Sequence, residues 1–302
     1  MRPVQFLGNN ALMMVSAFVL AMLFGGFPEA IPGLTNGTIA MLSLMAMMSF
    51  SLCNLQLRGL KVTRHNGAIT RAFFLSFILS TGTTIAMAFL FQGDIRNGWI
   101  LEAAVPSAVS VIPFCYLLRG ELEATLVSSA ALYFIALALT PVLTLLFIGQ
   151  AVSPLTLLYY VGTLILVPMV LSRPIRMMNL ESQTRHAAIN IAFFVLVIAV
   201  AGANRQVFFG EPVLLTSLII VAAVRTFGIG IAWNELTKRG KVAKDRRVPE
   251  VLFATHKNTG MAAALAIALL GAEAAVPATV CMSVDIVWLI YVTKFMFPVQ
   301  TG

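Results

Sequence analysis

The chemistry in this sequence rests on a few polar residues set inside long apolar runs. The densest group, Thr255-His256-Lys257-Asn258-Thr259-Gly260, interrupts the apolar run 251–270. It offers an ammonium, an amide, two hydroxyls and an imidazole that can titrate near neutral pH. A second group, Pro106-Ser107-Ala108-Val109-Ser110-Val111-Ile112-Pro113, interrupts the run 99–118 with two prolines and two hydroxyls. Proline lacks a backbone donor and breaks a helix. Arg225 and Asp285 lie in two further apolar runs. A charge near the centre of a membrane helix costs about 2.5–3.5 kcal/mol. Arg225, Lys257 and Asp285 are therefore expected to face a bundle interior and to act on an ion, a proton or a substrate. A plainer reading stays open for each: an Arg225–Asp285 or Lys257–Asp285 structural pair, or a snorkelling lysine. Ser107, Ser110, Thr255, His256 and Thr259 are either substrate contacts or polar helix-packing residues.

The elements that carry these groups follow from composition. The chain has 302 residues, 59% hydrophobic and only 11% charged. A water-facing surface needs about 25% charged residues, whereas a surface facing lipid does not. The apolar runs are continuous over about 20 residues, the length of a membrane-crossing helix. They lack the short alternating segments of a membrane β-barrel. The fold class is thus an all-α membrane protein. The net charge of +8 fits basic loops on one side of a bilayer, and nucleic acid is not expected as a partner. Cys53, Cys115 and Cys281 lie in apolar surroundings and suggest neither a disulfide framework nor a metal site. The first apolar run has no small-residue cleavage signal and is expected to be a retained span.

Ten spans are expected, over residues 11–27, 39–55, 73–91, 99–118 and 122–148, then 155–171, 188–203, 213–233, 251–270 and 276–297. One set of loops holds Arg58, Lys61, Arg64, Arg71, Arg119, Arg173, Arg176, Arg185 and the basic stretch from Lys238 to Arg247. The alternate loops hold Arg96 and Arg205. This asymmetry puts the basic loops and both termini in the cytoplasm, in what is expected to be a bacterial inner membrane. Five spans per half, residues 1–150 and 151–302, mean that the second half starts on the opposite side. That is the arithmetic of an inverted repeat. Spans four and nine occupy corresponding positions, and each is expected to be a broken crossing helix.

At these two interrupted spans the chain resembles the bile acid–sodium symporter family and the wider superfamily of ten-span bile and arsenite transporters. The family's fourth span has a proline-rich break and then a Tyr-Leu-Ala-Arg-Gly-Asn turn. Here stand Pro106 and Tyr116-Leu117-Leu118-Arg119-Gly120-Glu121, followed by a span with Pro141. The family's ninth span reads Glu-x-Gly-x-Gln-Asn-Ser-Gly-Leu-Ala. Here it is Phe253-Ala254-Thr255-His256-Lys257-Asn258-Thr259-Gly260-Met261-Ala262. The resemblance implies a secondary transporter whose substrate-associated asparagine is Asn258. It also implies sodium-ligating hydroxyls at Thr125 and Ser129. The departures are as informative. The family's sodium-binding Glu falls on Phe253, its sodium-binding Gln on Lys257, and the Asn at the break of span four on Ile112. A phenyl ring gives a cation no ligand and an ammonium repels it. The thiol of the arsenite branch falls on Ser107, which speaks against arsenite.

The expected function is a secondary transporter that moves a small organic anion by alternating access, without conventional sodium coupling. Lys257 would stand in for the metal ion and balance the anion. The expected partners are the anion, the bilayer, and a proton or sodium as coupling ion. A sodium-coupled symporter of bile-acid-like anions and a passive channel remain as alternatives. No His-Glu-x-x-His, catalytic carboxylate pair or glycine-rich phosphate loop is present. An enzyme, a cofactor and a bound metal are therefore not expected.

Overall fold

The computed structural model describes residues 10–28, 33–53, 62–149 and 152–298. Arg58, Lys61 and the end of the run 39–55 lie outside the described residues. The elements are helices: α1 (Asn10–Phe24), α2 (Asn36–Leu52), α3 (Thr63–Ala88), α4 (Gly93–Ala104), α5 (Val111–Leu117) and α6 (Leu122–Ile148). Then follow α7 (Pro154–Met177), α8 (Ser182–Ala203), the short α9 (Arg205–Gly210), α10 (Pro212–Arg239), α11 (Lys244–Thr255), α12 (Thr259–Leu269) and α13 (Glu273–Met296). Six of these, α3, α6, α7, α8, α10 and α13, are long and apolar enough to cross a membrane. Leu12–Phe24, Asn36–Leu52 and Thr259–Leu269 are shorter apolar helices.

Local sequence sets the ends. Thr35 caps α2, its hydroxyl accepting the Thr38 amide at 3.2 Å. Pro154 and Pro212 open α7 and α10, where a missing N–H costs nothing. Gly149, at φ +71°, closes α6. Several starts precede the sequence expectation. α3 begins at Thr63, α4 at Gly93, α8 at Ser182 and α11 at Lys244, so Arg64, Arg71, Arg96, Arg185, Arg246 and Arg247 are helical rather than in loops. Basic residues are compatible with a helix where their heads reach polar surroundings.

The polarity is inverted relative to a water-soluble protein. Leu23, Phe24, Phe89, Leu90, Leu146, Leu155, Val213 and Phe295 are exposed, while Glu102, Arg225 and Lys257 are buried. An apolar exterior around buried charges suits lipid as solvent, and the protein is an all-α membrane protein.

The helices form two groups. α8 packs on α1 and α2, and α2 packs on α7. The remaining long helices pack around α4, α6, α12 and α13. The groups meet chiefly where α2 lies on α12 and α7 on α6. The sequence halves thus intermix, because the first two helices of each half, α1 and α2 with α7 and α8, share a group. Two glycines permit close approach within the larger group. A Cβ on Gly98 would strike the Ala274 carbonyl, and one on Gly230 would strike the Trp288 ring.

Candidate functional site

Both interrupted apolar runs are broken helices, and the two breaks touch. The first runs from Val105 to Ser110 between α4 and α5, the second from His256 to Asn258 between α11 and α12. Ser107 and Lys257 pair as an antiparallel bridge. The Ala108 amide donates to the His256 carbonyl at 3.1 Å, and the Asn258 amide to the Pro106 carbonyl at 2.8 Å. Each unwound strand thus satisfies part of the other's backbone, which permits non-helical chain at this depth. Pro106 lacks the N–H that would continue α4. Pro113 is a correction to the sequence reading. It is the third residue of α5 and not part of the break, because an amide in the first helical turn has no intrahelical acceptor to lose. Thr255, Thr259 and Gly260 likewise belong to helix ends, which leaves a second break of three residues.

Ending α4 frees its last carbonyls, and side chains from three elements claim them. The Thr81 hydroxyl of α3 donates to Ala103 O at 2.6 Å, and Thr140 of α6 donates to Ala104 O at 2.8 Å. Lys257 Nζ donates to Val105 O at 2.9 Å and to Thr81 Oγ1 at 2.8 Å. The ammonium lies 4.9 Å from the centre of the Phe77 ring, within cation–π range. It therefore meets the negative end of α4, a hydroxyl and an aromatic face. No carboxylate lies within ion-pair distance of it among the described residues.

Arg225 has different company. Its Nη1 reaches Glu102 Oε1 at 2.7 Å and its Nη2 reaches Asp285 Oδ1 at 2.8 Å. Thr226 Oγ1 adds a contact to Asp285 at 3.2 Å. Glu102 lies on the last turn of α4, just before the carbonyls that hold Lys257 and Thr81. Its charge and that of Lys257 interact. Arg225 and Thr226 belong to a π-helical stretch of α10 (Val224–Gly228), and Ser76, Phe77 and Ser80 to one in α3 (Phe74–Ser80). Such wide turns often mark functional positions.

The other predicted residues distribute around this crossing. The Asn258 side chain caps α12, accepting the Met261 amide at 3.1 Å, and donates to the Tyr133 hydroxyl at 2.9 Å. Its amide also approaches Met48 Sδ at 3.9 Å, at the seam between the helix groups. The Ser107 hydroxyl donates to Ser76 Oγ at 2.8 Å. The Thr255 hydroxyl donates to Val251 O and receives the Trp288 Nε1–H at 3.0 Å. His256 Nδ1 lies 3.0 Å from Thr255 Oγ1, and its buried Nε2 has no partner among the described residues. Ser110 and Thr259 are half-buried at the breaks.

Thr125 and Ser129 fall elsewhere. Thr125 bonds the Glu121 carbonyl at 2.7 Å and Cys115 Sγ at 3.2 Å, and the buried Ser129 hydroxyl has no partner among the described residues. Thr125, Ser128 and Phe253 line a small cavity with Arg71, Glu121, Arg246 and Glu250. Glu250 there pairs with Arg71 and Arg246, each at 2.9 Å. The predicted ion-coupling residues thus separate into three places: Lys257 at the breaks, Arg225 with Asp285, and Thr125 with Ser129 on α6.

Sequence reading missed Glu102, Thr81, Phe77, Tyr133 and Trp288. Glu102 was detectable as a carboxylate inside an apolar run. Thr81 was detectable within the hydroxyl-rich stretch Ser80-Thr81-Gly82-Thr83-Thr84. The aromatic residues gave no signal, because aromatic residues are frequent along these spans. No protein-family model matches the chain, and no curated protein matches it.

Proposed function

We propose that the chain is a secondary transporter moving a small organic anion by alternating access, with the Lys257 ammonium in the place of a mobile coupling cation. The observation that carries this reading is the seat of that ammonium. A freed carbonyl, Val105 O at 2.9 Å, and a hydroxyl, Thr81 Oγ1 at 2.8 Å, receive it. Carbonyls and unwound helix ends are the groups that coordinate cations inside membrane proteins. A tethered ammonium cannot leave with the substrate, so transport proceeds without sodium.

The arrangement of elements supports the inverted repeat. In each half a helix with a π-helical stretch, α3 or α10, precedes a helix broken near its middle, α4/α5 or α11/α12. The reading keeps ten spans in a bacterial inner membrane, with the basic loops and both termini cytoplasmic. Asn258, Ser107, Ser110, Thr255, His256 and Thr259 surround the substrate path at the crossing.

The test is a thermal-shift screen of purified protein against organic acids, run beside Lys257→Gln. An acid that stabilises the wild type and not the variant, and whose uptake into proteoliposomes the variant loses, is the expected result. Wild-type uptake by Lys257→Gln would remove Lys257 from the mechanism. Single-channel currents would favour a passive pore.

A further inference from the structure

Four ionisable groups lie beside the crossing, Arg225, Lys257 and Glu102 buried and Asp285 partly so, and with all four ionised their charges sum to zero. This balance has a consequence for an anion carrier. A substrate anion reaching Lys257 leaves the cluster with one net negative charge in a medium that solvates charge poorly. Arg225 cannot change its charge, since a guanidinium keeps its proton in proteins. Lys257, already an ammonium, can accept no further proton. One of the two carboxylates is left to absorb the change. Asp285 Oδ1 receives two donors, from Arg225 and Thr226, and its side chain is partly exposed. Among the described residues Glu102 has one donor, Arg225 on Oε1, and its buried Oε2 has none. Glu102 also occupies the last turn of α4, next to the carbonyls that bind Lys257 and Thr81.

We infer that Glu102 is a proton-binding site that takes up one proton on Oε2 when an anion enters the crossing, making the proton the co-transported ion. The uptake is balanced: one anion and one proton enter, a carboxylate becomes a carboxylic acid, and the cluster stays neutral. Arg225 of α10, Asp285 and Cys281 of α13, and Lys257 of the second break are the charged or titratable groups that Glu102 senses. The inference rests on the transporter reading above, but its test needs no substrate, because deleting the Lys257 charge leaves the cluster with the same net charge that an anion would.

Infrared difference spectroscopy of the protein in lipid nanodiscs at neutral pH reads the carboxylic-acid carbonyl band. Lys257→Gln is expected to show a protonated-carboxyl band that the wild type and Lys257→Arg lack. In the Lys257→Gln background the band should shift in frequency when Glu102→Asp is added and stay in place when Asp285→Glu is added, both of which keep the cluster's charge. Absence of the band in Lys257→Gln, or a shift only on changing Asp285, overturns the assignment. If Lys257→Gln alone does not fold at neutral pH, it is expected to gain stability as the pH falls and Glu102 takes its proton, while the doubly substituted Glu102→Gln, Lys257→Gln chain, neutral at the cluster, lacks that gain. The same gain on acidification in the double variant overturns the assignment too. These outcomes are independent of the organic-acid binding and uptake that test the carrier reading.

Discussion

Two fully buried cations lie in one helix group, and their surroundings differ in kind. Arg225 is gripped by two carboxylates, at 2.7 Å and 2.8 Å. Lys257 is received by a carbonyl, a hydroxyl and a phenyl face. The guanidinium's charge is consumed locally, and it ties α10 to α4 and α13. The ammonium has no carboxylate within ion-pair distance among the described residues, which under the proposed function leaves it free to meet an anion. A buried charge therefore does not define a site by itself, and its partners decide whether it serves structure or function.

Arg225→Gln is the most damaging way to probe this contrast. It leaves Glu102 and Asp285 without their cation and should cost about 3–5 kcal/mol, seen as a large fall in unfolding temperature. An unchanged unfolding temperature would erase the distinction drawn between the two cations. Lys257→Gln removes hydrogen bonds to neutral acceptors and should cost less, about 1–3 kcal/mol, while abolishing uptake. Loss of stability without loss of uptake would reverse the roles. Thr81→Val removes one acceptor of Lys257 and the donor to Ala103 O. A cost of about 1–2 kcal/mol is expected, with weakened uptake and intact expression. Trp288→Phe is the mildest. It deletes the bond to Thr255 Oγ1 at 3.0 Å but keeps an aromatic ring, for about 0.5–1.5 kcal/mol and near-normal uptake.

Much of the helical framework was legible because lipid imposes a coarse rule. A helix crossing hydrocarbon must be apolar over its length, so α6 falls on 122–148 as expected from hydrophobicity alone. The breaks were legible for different reasons. Pro106 cannot donate, and His256-Lys257-Asn258 is too polar for a lipid-facing turn. Charge misled at α3, where Arg64 and Arg71 read as loop. The helix continues through them, and Arg71 finds Glu250 at 2.9 Å. Glu102 escaped notice because the apolar run was begun at Trp99, which put the carboxylate at a span edge. The helix starts at Gly93, which carries Glu102 to the buried last turn. The partners of Lys257 were hidden more deeply. Thr81 lies on α3 and Val105 O at the end of α4, and no pattern within α11 and α12 encodes them.

The central claim is that the ammonium occupies the seat of a metal ion. It is tested most directly by uptake of a stabilising organic anion into proteoliposomes, with all sodium exchanged for potassium. Equal rates in the two salts are predicted. A strict requirement for sodium would contradict the account.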